Sequence, residues 1–236
     1  EQFVQGIYDL GLATDLNLPI IGYSPAKIRM PHKNKRGQYD NWSATALPWM
    51  SIGYETQVPP ISTLAFYNAI ANNGKMMRPR FVKQIIKNGE VIADYPPEVL
   101  KKQIAKETTI TQIRRILTEV VSEGLGKKAG SDKFAVAGKT GTAQMSKGAL
   151  GYKAGGVNYL LSFAGFFPAD KPKYSCIVCI QKTGLPASGG GMSGVVFHHI
   201  AEGIMAQDLK LSVTDARNQS SILIPSAKTG NILAAD

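Results

Sequence analysis

Four consecutive residues, Lys139-Thr140-Gly141-Thr142, supply a cation and two hydroxyl groups, a combination that could hold a carboxylate. They lie in the stretch FAVAGKTGTAQ (134–144), whose β-branched and aromatic residues favour a strand. On a strand, Thr140 and Thr142 share one face, so both hydroxyls can contact the same carboxylate. Glycines weaken a strand unless something must approach its backbone closely. A strand beside a cleft can also offer its N–H groups to a developing oxyanion.

The same Gly-Lys-Thr could instead end a phosphate-binding P-loop, but the spacing excludes this interpretation. A P-loop requires a second glycine five residues before Gly138, and that position is Lys133. Taken by itself, the triplet also fits an exposed edge strand with ordinary polar residues. Two further Lys-Thr-Gly copies begin at Lys182 and Lys228. We interpret both as chance, because Pro186 cuts off the first and the second lies in a polar tail.

Metal and redox chemistry are not expected from the cysteines and histidines. Cys176 and Cys179 have the spacing of a redox or metal pair. They lie in the β-branched run CIVCI, however, and residues three apart on a strand face opposite sides. We therefore expect two small, buried, apolar residues. His198 and His199 are neighbours on a predicted helix and point in different directions, and His32 lies in a polar loop, so we predict no metal site.

The surrounding sequence predicts antiparallel strands and several amphipathic helices. Strands are predicted at 134–145, 159–167 and 174–181, a hairpin at 81–86 and 91–94, and helices at 1–13, 59–74, 109–122 and 195–209. Residues 14–41 are predicted to form an extended surface loop. This order predicts an α+β fold, in which helices pack on the faces of an antiparallel sheet.

The net charge and the lengths of the apolar runs indicate which kinds of binding partner to expect. A net charge of +10 favours anionic partners such as nucleic acid, acidic lipid or an anionic cell-wall polymer. The basic residues are scattered and are not interleaved with aromatic residues on one face, so we predict no nucleic-acid binding. No apolar run reaches the roughly 18 residues of a membrane span. The chain begins directly with a predicted helix, without a capping residue before it and without an initiating Met. We therefore expect a fragment of a longer protein.

Several longer stretches resemble one protein family. VAGKTGTAQ (136–144) resembles the third active-site motif of penicillin-binding proteins and serine β-lactamases. Four more segments of this chain resemble those that flank the motif in the family, and they occur in the same order. They are SIGYETQVPPISTLAFYNAIANNGKMMRPRFV (51–82), VVSEGLG (120–126), SFAGFFPADKPKYSCIVCI (162–180) and GGGMSGVVFHHIAEGI (189–204). The resemblance covers about residues 1–210 and is closest to the class B, division-type transpeptidases.

The resemblance implies a peptidoglycan D,D-transpeptidase that β-lactam antibiotics inhibit. In this family a serine attacks a D-Ala-D-Ala stem peptide, and an amine resolves the acyl-enzyme into a cross-link. Carried over by motif, Lys139 would tune the electrostatics, while Thr140 and Thr142 would bind the substrate or drug carboxylate. Gly141 would let substrate lie along the strand, and the Thr142 N–H would form half of the oxyanion hole. No metal or cofactor is implied. The implied partners are stem peptides, β-lactams and other division or cell-wall synthesis proteins.

Two other motifs of the family are not found in a suitable setting. Ser-x-Asn is absent, and Ser-x-x-Lys occurs once, at Ser24-Pro-Ala-Lys27, where Pro31 would end a helix after about one turn. We therefore expect Ser24 to be a loop residue. Residues 1–211 would be the C-terminal part of a transpeptidase domain, inactive alone because they lack the nucleophile.

The resemblance also carries expectations about the longer protein. It would be anchored in the membrane and act on the outer, periplasmic side of the cytoplasmic membrane. Residues 212–236 would be a linker or the start of a further, PASTA-type module. The alternative is a non-catalytic module of the same fold that binds peptidoglycan or a division partner.

Overall fold

The computed structural model describes residues 1–146, 152 and 156–222. In chain order the helices and strands are α1 (Gln2–Asp9), β1 (Lys27–Ile28), α2 (Ala46–Ser51), β2 (Thr56–Gln57), α3 (Pro60–Ala71), β3 (Met76–Met77), β4 (Gln84–Lys87), β5 (Glu90–Asp94), β6 (Val99–Lys101), α4 (Glu107–Ser122), β7 (Ala137–Met145), β8 (Asn158–Phe167), β9 (Tyr174–Thr183) and α5 (Gly194–Ile222). The chain divides into two units, Glu1–His198 and a second beginning at His199. The candidate site lies in the first unit.

Within the described residues, the strands form one central sheet and three small ribbons, all antiparallel. The central sheet has the strand order β7-β8-β9, and the ribbons pair β1 with β2, β3 with β6, and β4 with β5. The hairpin β4-β5 turns at Asn88 and Gly89, which both have positive φ. A turn with two positive-φ residues matches the twist of its strands, which is why Asn-Gly predicted this hairpin correctly.

The middle strand β8 is apolar at nearly every position because both of its faces are covered. Phe166 is fully buried on one face, where it joins a core with Leu117 of α4 and Ala69 of α3. Phe163 is fully buried on the other face and packs against Phe197 in the first turn of α5, with ring centroids 4.6 Å apart. Helices therefore cover both faces of an antiparallel sheet, and the predicted α+β fold is confirmed.

Helix α4 precedes β7 in the chain and packs against it. Its buried residues Ile110, Leu117 and Val121 form the apolar stripe that the sequence predicted. Past its end the Gly126 N–H donates to the Val120 carbonyl at 2.9 Å, and a short 3₁₀ turn leads on toward the sheet. Because α4 packs on β7, the helix supports the strand that carries the candidate site.

A second, smaller core holds together the elements that precede α3. Val4 of α1, Ile28 of β1 and Met50 of α2 are buried against one another. The Tyr8 hydroxyl donates to the Ile28 carbonyl at 2.7 Å and ties α1 to β1. Tyr8 of α1 and the residues of β1 line one side of the cavity described below.

Four expectations from the sequence differ from the structure. Residues 14–41 are not only a surface loop, because Lys27–Ile28 form β1 and the side chains of Leu16 and Leu18 are buried in the core. The first helix ends at Asp9, because Gly11 takes a positive φ of 87°. The last helix does not end near Leu209 but continues to Ile222, through a stretch without Gly or Pro. Cys176 is only half-buried and Cys179 is exposed, because both lie on the outer strand β9. The expected linker or PASTA-type module within 212–236 stays a prediction, since 223–236 lie outside the described residues.

Candidate active site

The four residues of the Lys139–Thr142 motif all lie on β7. The register pairs Lys139 with Ala164 and Thr142 with Leu161 on β8. Within the described part of the chain, no strand pairs with the opposite side of β7. The motif therefore lies along an open sheet edge.

Hydrogen bonds outside the sheet show which backbone groups of β7 face this open edge. The Gln144 N–H donates to the Tyr54 hydroxyl at 3.0 Å, so it points away from β8. The Thr140 carbonyl accepts from the Lys139 ammonium at 2.9 Å. In an antiparallel strand both polar groups of a residue point to the same side, and the side alternates with each residue. The N–H groups of Thr140, Thr142 and Gln144 therefore all face the open edge.

The two threonine side chains lie on one face of β7, and Lys139 lies on the other. Thr142 Oγ1 accepts a hydrogen bond of 3.0 Å from the N–H of Gly189. A hydroxyl that accepts in this way still has its own proton to donate. Because Thr142 is exposed, that proton can reach a bound anion. Lys139 is exposed as well, so its ammonium can move toward an anion at the edge.

A glycine-rich turn, Gly189–Ser193, packs on the threonine face of β7. A Cβ at Gly189 would overlap the Gly141 carbonyl oxygen, and one at Gly190 would overlap the Leu125 carbonyl oxygen. Only glycine therefore lets the turn come so close to β7. The sequence did not predict that this turn packs on β7 or that its N–H donates to the Thr142 hydroxyl.

A cavity of about 940 Å³ opens beside the end of β7. Its lining includes Tyr8, Lys27, Tyr54, Gln57, Gln144 and Tyr152. The Tyr54 ring makes edge-on contacts with the rings of Trp49 and Tyr152, at centroid distances of 5.3 and 6.2 Å. The sequence did not predict this cavity, because its walls come from segments about 90 residues apart.

The other residues considered from the sequence lie apart from this edge. Ser24 is exposed in an irregular segment and Lys27 belongs to β1, so the two do not share a helical turn and Ser24 is a loop residue, as predicted. Lys182 lies one residue before the end of β9 and donates to the Thr183 carbonyl. The copy at Lys228 lies outside the described residues.

The described residues contain no membrane-spanning helix and no metal cluster. None of their helices is both long and apolar enough to cross a bilayer. In the same part of the chain, no group of three or more His, Cys, Asp or Glu side chains could hold a metal ion. His198 Nδ1 lies 2.7 Å from the Gly130 carbonyl oxygen, and His32 pairs with Asp40.

Comparison with known proteins gives one consistent result. The family described as penicillin binding protein transpeptidase domain matches residues 21–202. Penicillin-binding protein PbpB of Mycolicibacterium smegmatis is 29% identical over 87% of this chain and 32% of its own length. Stage V sporulation protein D of Bacillus subtilis is 34% identical over 72% of this chain and 26% of its own length. The chain therefore spans about a third or less of these relatives.

Solved structures show the same similarity. A crystal structure of penicillin binding protein 3 from Mycobacterium tuberculosis, complexed with aztreonam, superposes with a TM-score of 0.71 at 26% identity. The match covers 88% of this chain and 46% of that one. The apo form of the same protein gives a TM-score of 0.72 at 24% identity.

Proposed function

Because the chain belongs to the transpeptidase domain family of class B penicillin-binding proteins, we propose that the whole protein is a peptidoglycan D,D-transpeptidase. Its substrates are stem peptides that end in D-Ala-D-Ala, and its inhibitors are β-lactams. The protein acts on the outer side of the cytoplasmic membrane, with other division or cell-wall synthesis proteins. The similar penicillin binding protein 3, whose solved complexes contain ampicillin and aztreonam, supports the β-lactam part of the proposal.

The proposed reaction is acyl transfer in two steps. A serine oxygen attacks the carbonyl carbon of the penultimate D-Ala and gives its proton to a general base. An ester bond forms, the base passes this proton to the amide nitrogen as the peptide bond breaks, and the terminal D-Ala leaves as a free amine. The amine of a second stem peptide then attacks the ester, forms the cross-link and restores the serine hydroxyl. We assign the nucleophile and its base to parts of the protein beyond these 236 residues, since Ser24 and Lys27 do not share a helical turn.

One observation carries the proposal for β7: the Thr142 N–H faces the open edge. This donor can stabilise the oxyanion that forms when the carbonyl is attacked. Two residues earlier along the same edge, Thr140 and the Lys139 ammonium lie where the carboxylate of the leaving D-Ala would bind. A Cβ at Gly141 would meet the Ser162 hydroxyl, the rotatable end of a side chain on β8, so glycine leaves this hydroxyl room over β7.

The second Lys-Thr-Gly copy offers a matched control for the role of Lys139. We would measure the second-order rate at which a penicillin acylates the whole protein, its Lys139→Met variant and its Lys182→Met variant. Lys139→Met should slow acylation roughly 10- to 150-fold, the value of one charged hydrogen bond. Lys182→Met should change the rate less than about twofold, since Lys182 lies on β9.

The outcomes separate the transpeptidase from its alternative. Equal rates for both lysine variants would show that β7 does not bind the drug carboxylate. No acylation of the folded wild-type protein would contradict the transpeptidase proposal. Binding of peptidoglycan without acylation would instead favour a non-catalytic module of the same fold.

A further inference from the structure

The hydroxyl of Tyr54 occupies the open edge of β7 at one defined point. It accepts the Gln144 N–H at 3.0 Å, although the two residues are 90 positions apart in the chain. Among the edge-facing N–H groups of β7, this one follows directly after Thr142. The edge that offers an oxyanion donor at Thr142 is therefore already paired two residues further on.

The end of α2 fixes the position of Tyr54. The Gly53 N–H donates to the Met50 carbonyl and the Tyr54 N–H to the Trp49 carbonyl, both at 3.0 Å. Together with the positive φ of 95° at Gly53, these bonds form a Schellman motif. Such a motif commonly includes an apolar contact between its last residue and the helix, and here the Tyr54 ring contacts the Trp49 ring. Tyr54 is thus held in place before any ligand binds.

The proposed function, on which this inference rests, sets the direction of a bound peptide. Its carboxylate lies near Lys139 and Thr140, and its reacting carbonyl lies at the Thr142 N–H. The amino side of the peptide must therefore run onward, toward Gln144. Because a strand advances about 3.4 Å per residue, the peptide reaches Gln144 after about 7 Å.

We propose that Tyr54 is a positioning and specificity residue that ends the peptide-pairing edge of β7 at Gln144. A peptidyl donor pairs with β7 at Thr142, meets the Tyr54 hydroxyl and leaves the strand. The cavity of about 940 Å³, whose wall includes Tyr54, Gln57 and Tyr152, receives the rest of its amino-side chain. Because the Gln144 N–H is already paired with Tyr54, a donor long enough to continue as an extended strand along β7 forms no additional hydrogen bond there.

The first test measures hydrogen exchange at the Gln144 amide by NMR, which needs no catalysis. Tyr54→Phe keeps the ring contacts and removes only the hydroxyl. We expect exchange at Gln144 to rise at least about tenfold, because the amide loses its partner. Tyr8→Phe is the matched control, since it removes a tyrosine hydroxyl that donates to a backbone carbonyl in the same cavity wall. It should leave Gln144 exchange unchanged.

The second test compares acylation of the whole protein by two D-alanyl thioester donors. One donor carries one residue on the amino side of the reacting D-Ala, and the other carries three. Tyr54→Leu keeps an apolar contact with Trp49 but cannot reach Gln144. We expect it to raise the long-to-short ratio of kcat/KM about 2- to 12-fold, the value of one added backbone hydrogen bond. Tyr39→Leu, at an exposed loop position outside the cavity, should leave the ratio unchanged.

The two tests separate the failure of this inference from the failure of the proposed function. Unchanged Gln144 exchange in Tyr54→Phe would overturn the claim that the hydroxyl closes the edge, even if no donor reacted. An unchanged long-to-short ratio in Tyr54→Leu would overturn the claim about specificity. If the wild type reacted with neither donor, the transpeptidase proposal itself would fail, while the exchange result would still decide the role of the hydroxyl.

Discussion

Gly189→Ala tests the contact between the glycine-rich turn and β7. The added Cβ would overlap the Gly141 carbonyl oxygen and lie 2.9 Å from the Ser162 carbonyl oxygen. Both oxygens belong to the backbone of the central sheet and cannot rotate away, so the turn must retreat by roughly 1 Å. The retreat would also lengthen the hydrogen bond from the Gly189 N–H to Thr142 Oγ1.

The expected loss of stability follows from these two effects. Overpacking of this kind costs about 1–3 kcal/mol, and a buried donor without its partner costs about 1–3 kcal/mol. The sum is about 2–6 kcal/mol. In a chain of this size, 1 kcal/mol corresponds to about 2–4 °C, so Tm should fall by roughly 4–24 °C. Backbone strain does not add to this sum, because Gly189 does not have a positive φ.

Thermal unfolding followed by circular dichroism measures the effect. Gly6→Ala is the matched control, since a Cβ there meets nothing within 4 Å and the residue lies in a helix. This control should leave Tm unchanged or raise it by the equivalent of up to about 1 kcal/mol. A Gly189→Ala protein with the wild-type Tm would refute the close packing of the turn on β7.

Three further predictions concern ionisable side chains. Hydrogen bonds from Arg78 lower the pKa of Glu98 below its ordinary value of 4.5. The stability that these bonds add is therefore present above pH 4.5 and is lost as pH falls through the lowered pKa. Glu98→Gln should flatten the drop in Tm below about pH 5. Burial raises the pKa of Tyr67 to about 12. The contribution of Tyr67 to the stability of the folded protein is therefore complete below pH 10 and is lost as pH rises toward 12. Tyr67→Phe should keep a higher Tm than wild type at about pH 11. Burial raises the pKa of the thiols of Cys176 and Cys179. The exposed Cys179 should react with a thiol reagent before the half-buried Cys176. A Cys179→Ser variant should therefore lose the faster phase of the reaction with this reagent.

Local sequence patterns predicted the strand framework correctly. The apolar run of β8 indicated a strand covered on both faces, and Asn88-Gly89 indicated the hairpin turn. The spacing of Thr140 and Thr142 placed both on one face of β7. These features depend on neighbouring residues, whose periodicity is visible in the sequence.

Contacts between distant segments could not be predicted in the same way. The Gly189 bond to Thr142 joins residues 47 apart, and the Tyr54 bond to Gln144 joins residues 90 apart. Nothing in the pattern around Tyr54 shows that its ring ends at the edge of β7. The exposure of Cys179 was missed because β-branched neighbours do not reveal that β9 is an outer strand.

The most direct test of the central claim is the intact mass of the protein after incubation with a reactive penicillin, followed by peptide mapping. The whole protein and this 236-residue chain would be treated in parallel. We predict one adduct per molecule of whole protein, on a serine outside these residues, and none on the chain alone. An adduct on Ser24, or no adduct on the folded whole protein, would contradict the account.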